Sequence, residues 1–164
     1  MCAGAHHTTT KGANVKRMIA AITLVTCCLA ATVSAATAYW RTEKLTGNWS
    51  DPNNWGTLTV PGVGDDIVFS NGSAACTVTL DVSPTVGKII LLNVPGTAQA
   101  LTFTGSGVLT ISNGIEKFRT TRFIVDNDIV LGGNISISNQ ALAGGTREIA
   151  LNGVISDGGN NYGI

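Results

Sequence analysis

Histidine is almost missing from this 164-residue chain: its two copies, His6 and His7, stand near the start, and none follows. The body beyond residue 38 therefore has no Ser-His-Asp or Cys-His catalysis, no imidazole zinc ligand and no histidine general acid or base. Cysteine is nearly as scarce. Cys2, Cys27 and Cys28 lie in the N-terminal stretch, and Cys76 alone lies in the body. A disulfide within the body is thereby excluded, so packing and backbone hydrogen bonds must hold it together. Charged residues make up only 12% of the chain and aromatic residues 5%. From residue 39 to 164, seven basic side chains face ten acidic ones, a net charge of −3 with no basic stripe. Phosphate neutralisation needs clustered Lys and Arg, so nucleic acid is not an expected partner. The one local basic cluster, Lys117, Arg119 and Arg122, reads as a solvated turn. No segment shows a 3.6-residue apolar period with caps, so no glycine loop opens a helix and no nucleotide site is expected.

Long apolar runs are missing too. The longest uncharged one, Ile19 to Ala31, is shorter than the ~20 residues that a helix needs to span a bilayer. It follows Lys11, Lys16 and Arg17 and precedes the small residues Val33-Ser34-Ala35-Ala36-Thr37-Ala38. Basic, then apolar, then small is the order of a secretory signal, whose peptidase accepts only small side chains next to the cut. Ala36-Thr37-Ala38 fits the A-x-A pattern, which places the expected cleavage between Ala38 and Tyr39. Residues 1–38 are thus expected to be a signal peptide with a helical apolar core. Met18 is an alternative start that would make 1–17 irrelevant.

What is abundant is glycine, with 20 copies, together with asparagine, serine and threonine. Residues 39–66 concentrate Trp, Asn, Gly and Pro, as in Gly47-Asn48-Trp49-Ser50-Asp51-Pro52-Asn53-Asn54-Trp55. Such density favours turns through αL tolerance, a fixed φ and Asx hydrogen bonds, so this stretch reads as an N-terminal cap. Trp40, Trp49 and Trp55 are expected to pack on the end of the fold; the competing reading is a platform for stacking on a sugar ring.

From Asp66 the period is two. Val78-Thr79-Leu80-Asp81-Val82 alternates apolar with polar, as a strand with one buried face requires, and Cys76 falls in phase with the inward set. Short strands recur as doublets across a turn: 101–111, 129–137 and 149–155. Each repeat of this kind buries its apolar face only by stacking on its neighbours, which is the logic of a solenoid. The expected fold is all-β, a right-handed parallel β-helix over residues 67–164, with an antiparallel sandwich as the alternative. The last residues, Val154 to Ile164, lack the polar cap of a finished solenoid, so the repeat segment is expected to be a truncated part of a longer one.

Carboxylates are the remaining chemistry. Asp126-Asn127-Asp128 beside Arg119 and Arg122 is the place where an acid pair or a calcium site would sit, because Asp126 and Asp128 share a face by the two-residue period. Asp65-Asp66 and Asp157 are weaker candidates. Each also reads as ordinary turn chemistry, and no catalytic, cofactor-binding or metal-ligating set is expected.

Gly47 to Trp55, Val60-Pro61-Gly62-Val63-Gly64-Asp65-Asp66-Ile67-Val68-Phe69, Thr77-Val78-Thr79-Leu80-Asp81, Val86-Gly87-Lys88-Ile89 and the Leu-Thr-Phe/Leu-Thr-Ile doublet together resemble the start of autotransporter-associated β-strand repeat proteins. That resemblance, from Trp40 onward, implies a secreted or surface-bound bacterial passenger with a β-helical stalk, outer-membrane-associated in a Gram-negative cell. The outward rows of Thr, Ser and Asn are expected to present a polar face for adhesion to an extracellular glycan, a host cell or a neighbouring cell, with no catalysis, and membrane attachment is expected only through an anchor outside this sequence. Two other readings stand beside it. One is the N-terminal part of a β-helical polysaccharide lyase or hydrolase. The other is a carbohydrate-binding module using Trp40, Trp49 and Trp55.

Overall fold

The structure, a computed structural model, describes residues 35–70, 74–92, 99–118, 122–140 and 148–164. The expected signal helix, Arg119 and Arg147 lie outside the described residues.

Among the described residues twelve strands follow one another: β1 (Thr37–Tyr39), β2 (Thr46–Asn48), β3 (Asp66–Phe69), β4 (Cys76–Thr79), β5 (Thr85–Leu91), β6 (Leu101–Thr104), β7 (Leu109–Lys117), β8 (Phe123–Val125), β9 (Ile129–Leu131), β10 (Ser136–Asn139), β11 (Ile149–Leu151) and β12 (Ile155–Ser156). Among the described residues the only helical segment is one 3₁₀ turn, Pro52–Asn54. Asp51 caps that turn by accepting from the Asn53 N–H, and Pro52 takes the first position, where its missing donor is not needed.

The strands form two sheets. One has the order β2-β4-β6-β8-β11; the other has the order β1-β3-β5-β7-β9-β12, with β10 also paired to β7. Every strand pair is parallel. The chain alternates between the sheets and advances one position each time it returns, so the fold is a parallel β-solenoid, and the sandwich alternative falls away. Register partners Thr46, Thr77, Thr102, Ile124 and Ala150 mark the coils, which take 31, 25, 22 and 26 residues.

Inside the coils, identical register positions stack into apolar ladders. Ala38, Ile67, Ile89, Ile115 and Ile137 form one. Cys76, Leu101, Phe123 and Ile149 form another, and Val78, Phe103, Val125 and Leu151 a third. β-branched and aromatic side chains dominate, as the half-buried pleated surface favours. Parallel register places like residues directly above one another, so each coil covers the apolar face that its neighbour would otherwise expose. Cys76 is buried in this core, as its phase predicts.

The corners explain the glycines. Gly105, with φ +103°, turns the chain from β6 into β7, and a Cβ there would lie 2.7 Å from the Leu80 carbonyl oxygen of the preceding coil. Only glycine meets both the left-handed backbone and the close approach. A second corner widens along the stack. Gly87 alone separates the two paired halves of β5; Ser112 and Asn113 occupy that place in β7; and Gly132 to Ile135 occupy it in the next coil, where the strand has become two, β9 and β10.

This geometry corrects the doublet spacing. The doublets at 101–111 and 149–155 cross the same corner, between the two sheets, whereas 129–137 crosses the widening corner within one sheet. The element equivalent to the first doublet in its coil is Phe123–Val125 and Ile129–Leu131, joined through Asp126-Asn127-Asp128. Val82 departs from the expected alternation, since β4 ends at Thr79 and Val82 is exposed in the corner.

Candidate functional site

The three tryptophans close the first coil. Trp40 and Trp49 are each 1% exposed and Trp55 is wholly buried. Trp55 lies edge-on to both others, with ring centroids 5.1 Å from Trp40 and 4.8 Å from Trp49. The stack continues through Trp49–Phe103 and Phe103–Phe123. Each of two indole N–H groups donates to a carbonyl at 2.8 Å, Trp40 to Lys44 and Trp55 to Trp49. With the ring faces covered, a sugar could stack on these indoles only after the cap had opened. Their placement is that of an apolar plug extended by edge-to-face contacts.

The carboxylates singled out in the sequence, Asp157 excepted, fasten the coils to one another. Asp126 accepts from the Asn152 side-chain amide at 2.7 Å, and Asp128 accepts from the Val154 N–H at 2.9 Å. Asn127 between them is buried and donates to the carbonyls of Gly105 and Gly107, both at 2.9 Å. Asp66 accepts from the Lys88 N–H at 2.8 Å; Asp65 accepts from Ala36 N–H and Gly62 N–H at 2.9 and 2.8 Å. Asp81 accepts from both the hydroxyl and the N–H of Ser50, and the hydroxyl is the main reason that its carboxyl is held below the ordinary range. Asp157 accepts from the N–H groups of Gly159 and Asn161, which lowers its carboxyl in the same way. At corners the ladder is broken, and these acceptors take the backbone donors it leaves. Among the described residues, no three His, Cys, Asp or Glu side chains gather as a metal site would require.

Basic residues of the expected turn separate. Arg122 pairs with Glu148 of the next coil through two contacts, at 2.7 and 3.1 Å. Lys117 corrects the expectation of a solvated cluster. It occupies an inward ladder position and is fully buried, its Nζ 3.5 Å from the Asn139 side-chain oxygen. The alternation of β7 carries this signal, since Lys117 is in phase with Ile115, but the positive charge hides it.

The most regular surface is the outer face of the five-stranded sheet. Thr46, Thr77 and Thr102 are in register along one row, and Asn48, Thr79 and Thr104 along the next. Thr46 and Asn48 are exposed and the four other threonines half-buried, while Val78 and Phe103 between the rows point inward. Neighbouring strands in a sheet lie ~4.8 Å apart, and alternate residues along a strand ~6.6 Å, so the two rows form a lattice of short polar groups. None of the six carries a charge. The first row continues into Ile124 and Ala150, where it turns apolar. The strand alternation announces each Thr-x-Thr pair; their alignment needs the coil register.

Among the described residues no helix is long and apolar enough to cross a membrane. Compared with protein-family models, with curated proteins and with solved structures, the chain matches none.

Proposed function

We propose that this chain is a structural and adhesive passenger segment of an exported bacterial surface protein, with the solenoid as stalk and the threonine-lined sheet as its contact face. The single observation that carries this reading is the pair of in-register rows, Thr46-Thr77-Thr102 and Asn48-Thr79-Thr104. An uncharged lattice of five hydroxyl groups and one amide suits an extended hydroxylated polymer, because both partners then offer donors and acceptors at repeating intervals. An extracellular glycan, on a host or a neighbouring cell, has that chemistry. Export rests on the basic, apolar and small-residue order of the first 38 residues. The segment carries no catalysis of its own in this reading.

The test places charge and bulk on the face without touching the core. Thr79→Lys with Thr104→Lys, made in the full chain, is expected to lower retention on immobilised cell-surface polysaccharide, or on whole cells, at least tenfold. Circular dichroism and the melting midpoint should stay close to those of the parent. Undiminished retention by a folded double variant would rule out this face as the contact surface.

A further inference from the structure

The expected cut before Tyr39 falls inside β1. Thr37, Ala38 and Tyr39 pair with Asp66, Ile67 and Val68, and Ala38 begins the ladder that continues through Ile67 and Ile89. Ala38 is buried in the core cluster. Pairing extends one residue further back, because the Asp66 N–H donates to the Ala36 carbonyl at 2.8 Å. Cleavage after Ala38 would remove that acceptor and two of the three strand residues, uncover one side of Ile67, and leave Trp40 only one residue from a free end.

Upstream of β1 the same run of small residues offers another cut. Val33 and Ala35 stand third and first before the Ala35–Ala36 bond, so this bond also meets the small-residue requirement. The Ala36 nitrogen lies 2.9 Å from the Asp65 Oδ1. Asp65 is held for this contact by its own turn: its other oxygen accepts from Gly62 N–H, and its carbonyl accepts from Gly87 N–H at 2.8 Å.

We propose that the leader is removed between Ala35 and Ala36, and that the new α-ammonium of Ala36 pairs with the Asp65 carboxylate and fixes the first strand. This proposal rests on the export reading above. Hydrolysis adds one water across the Ala35–Ala36 amide, giving the Ala35 carboxylate on the leader and the Ala36 ammonium on the body. The amide donor of the uncut chain thereby becomes a charged donor at the same position, and charge-assisted hydrogen bonds are the stronger kind. Both Ala35 and Ala36 are exposed, so the new terminus needs no rearrangement of the core. Cleavage at Ala36–Thr37 would keep β1 but delete both Ala36 contacts.

The test is to express the full chain with its own leader in a bacterial host, collect the exported protein, and determine its first residue by intact mass and N-terminal sequencing. Ala36 is the expected result. A start at Thr37 or Tyr39 would overturn the proposal and leave export standing. A chain that keeps its leader and stays in the cytoplasm would overturn both. The ion pair has its own measurement: Asp65→Asn in the exported chain should lower the melting midpoint by a few degrees at low salt, and high salt should close the gap. An exported Asp65→Asn chain that melts with the parent at low salt would rule out the pairing, whatever its first residue.

Discussion

Lys117 lies directly beside Leu91 in the ladder between β7 and β5, and its side chain is as fully buried as the leucine's. The row runs Phe69, Leu91, Lys117, Asn139, so an apolar column turns polar as it passes up the solenoid. Burial of a charge is costly, and exchange for an apolar side chain of similar length is often neutral or stabilising. Lys117→Met is therefore expected to leave the urea midpoint unchanged or raise it. Lys117→Ala removes the packed stem as well and should cost about 2–5 kcal/mol, the range for large-to-small changes in a core. Equilibrium unfolding of both variants checks the pair; a lower midpoint for the methionine variant would show that the charge itself holds the column.

Trp55 is the centre of the aromatic plug, in edge contact with Trp40 and Trp49. Trp55→Ala is expected to destabilise the fold by about 3–5 kcal/mol, as loss of a buried aromatic generally does. Chemical denaturation gives the size. Protection of the amides in β1 and β3 should fall before that in β6 to β8, since each coil of a solenoid contacts only its neighbours.

Gly105 carries a backbone requirement and a steric one at the same residue. Gly105→Ala should lower stability by at least about 1 kcal/mol, beyond the benefit that alanine gives by restricting the unfolded chain. Ser106, its exposed neighbour in the same corner, serves as the control, and Ser106→Ala should change the melting midpoint little.

Ser50 and Asp81 join the first two coils, and the Ser50 hydroxyl is the largest influence holding the Asp81 carboxyl below its ordinary value of 3.8. Because the folded value lies below the unfolded one, the stabilising contribution is complete above the ordinary value. It fades as pH falls through the folded value. Ser50→Ala removes that hydroxyl, so the variant should have a lower denaturation midpoint than the parent at neutral pH, and the shift should shrink as pH falls through the folded value, where the parent loses the same contribution. Fluorescence of the tryptophan plug during denaturation at a series of pH values reads the shift directly.

The local content of the fold was legible from residues alone. Period-two alternation announced β4, β6 and β7, and the phase of Cys76 with Val78 announced its burial. The density of Asn, Asp, Gly and Pro from 47 to 56 announced the turns around Pro52–Asn54. Alternation is a property of one strand and needs no partner to be seen. The threonine face was half legible: each Thr-x-Thr was visible, but Thr77 lies beside Thr102 only because the coil between them takes 25 residues.

What only the tertiary structure decided is everything that depends on which strand lies beside which. Local pattern cannot separate a hairpin from a corner, since a short glycine turn serves both. The parallel register made corners of all three doublets, assigned 129–137 to a different corner from the others, and gave Asp126-Asn127-Asp128 the place that glycine fills one coil earlier. It also drew Lys117 inward and closed Trp40, Trp49 and Trp55 over the core. A charge or an indole is buried or exposed according to the neighbours that stacking supplies, and in a solenoid those neighbours come from a whole coil away.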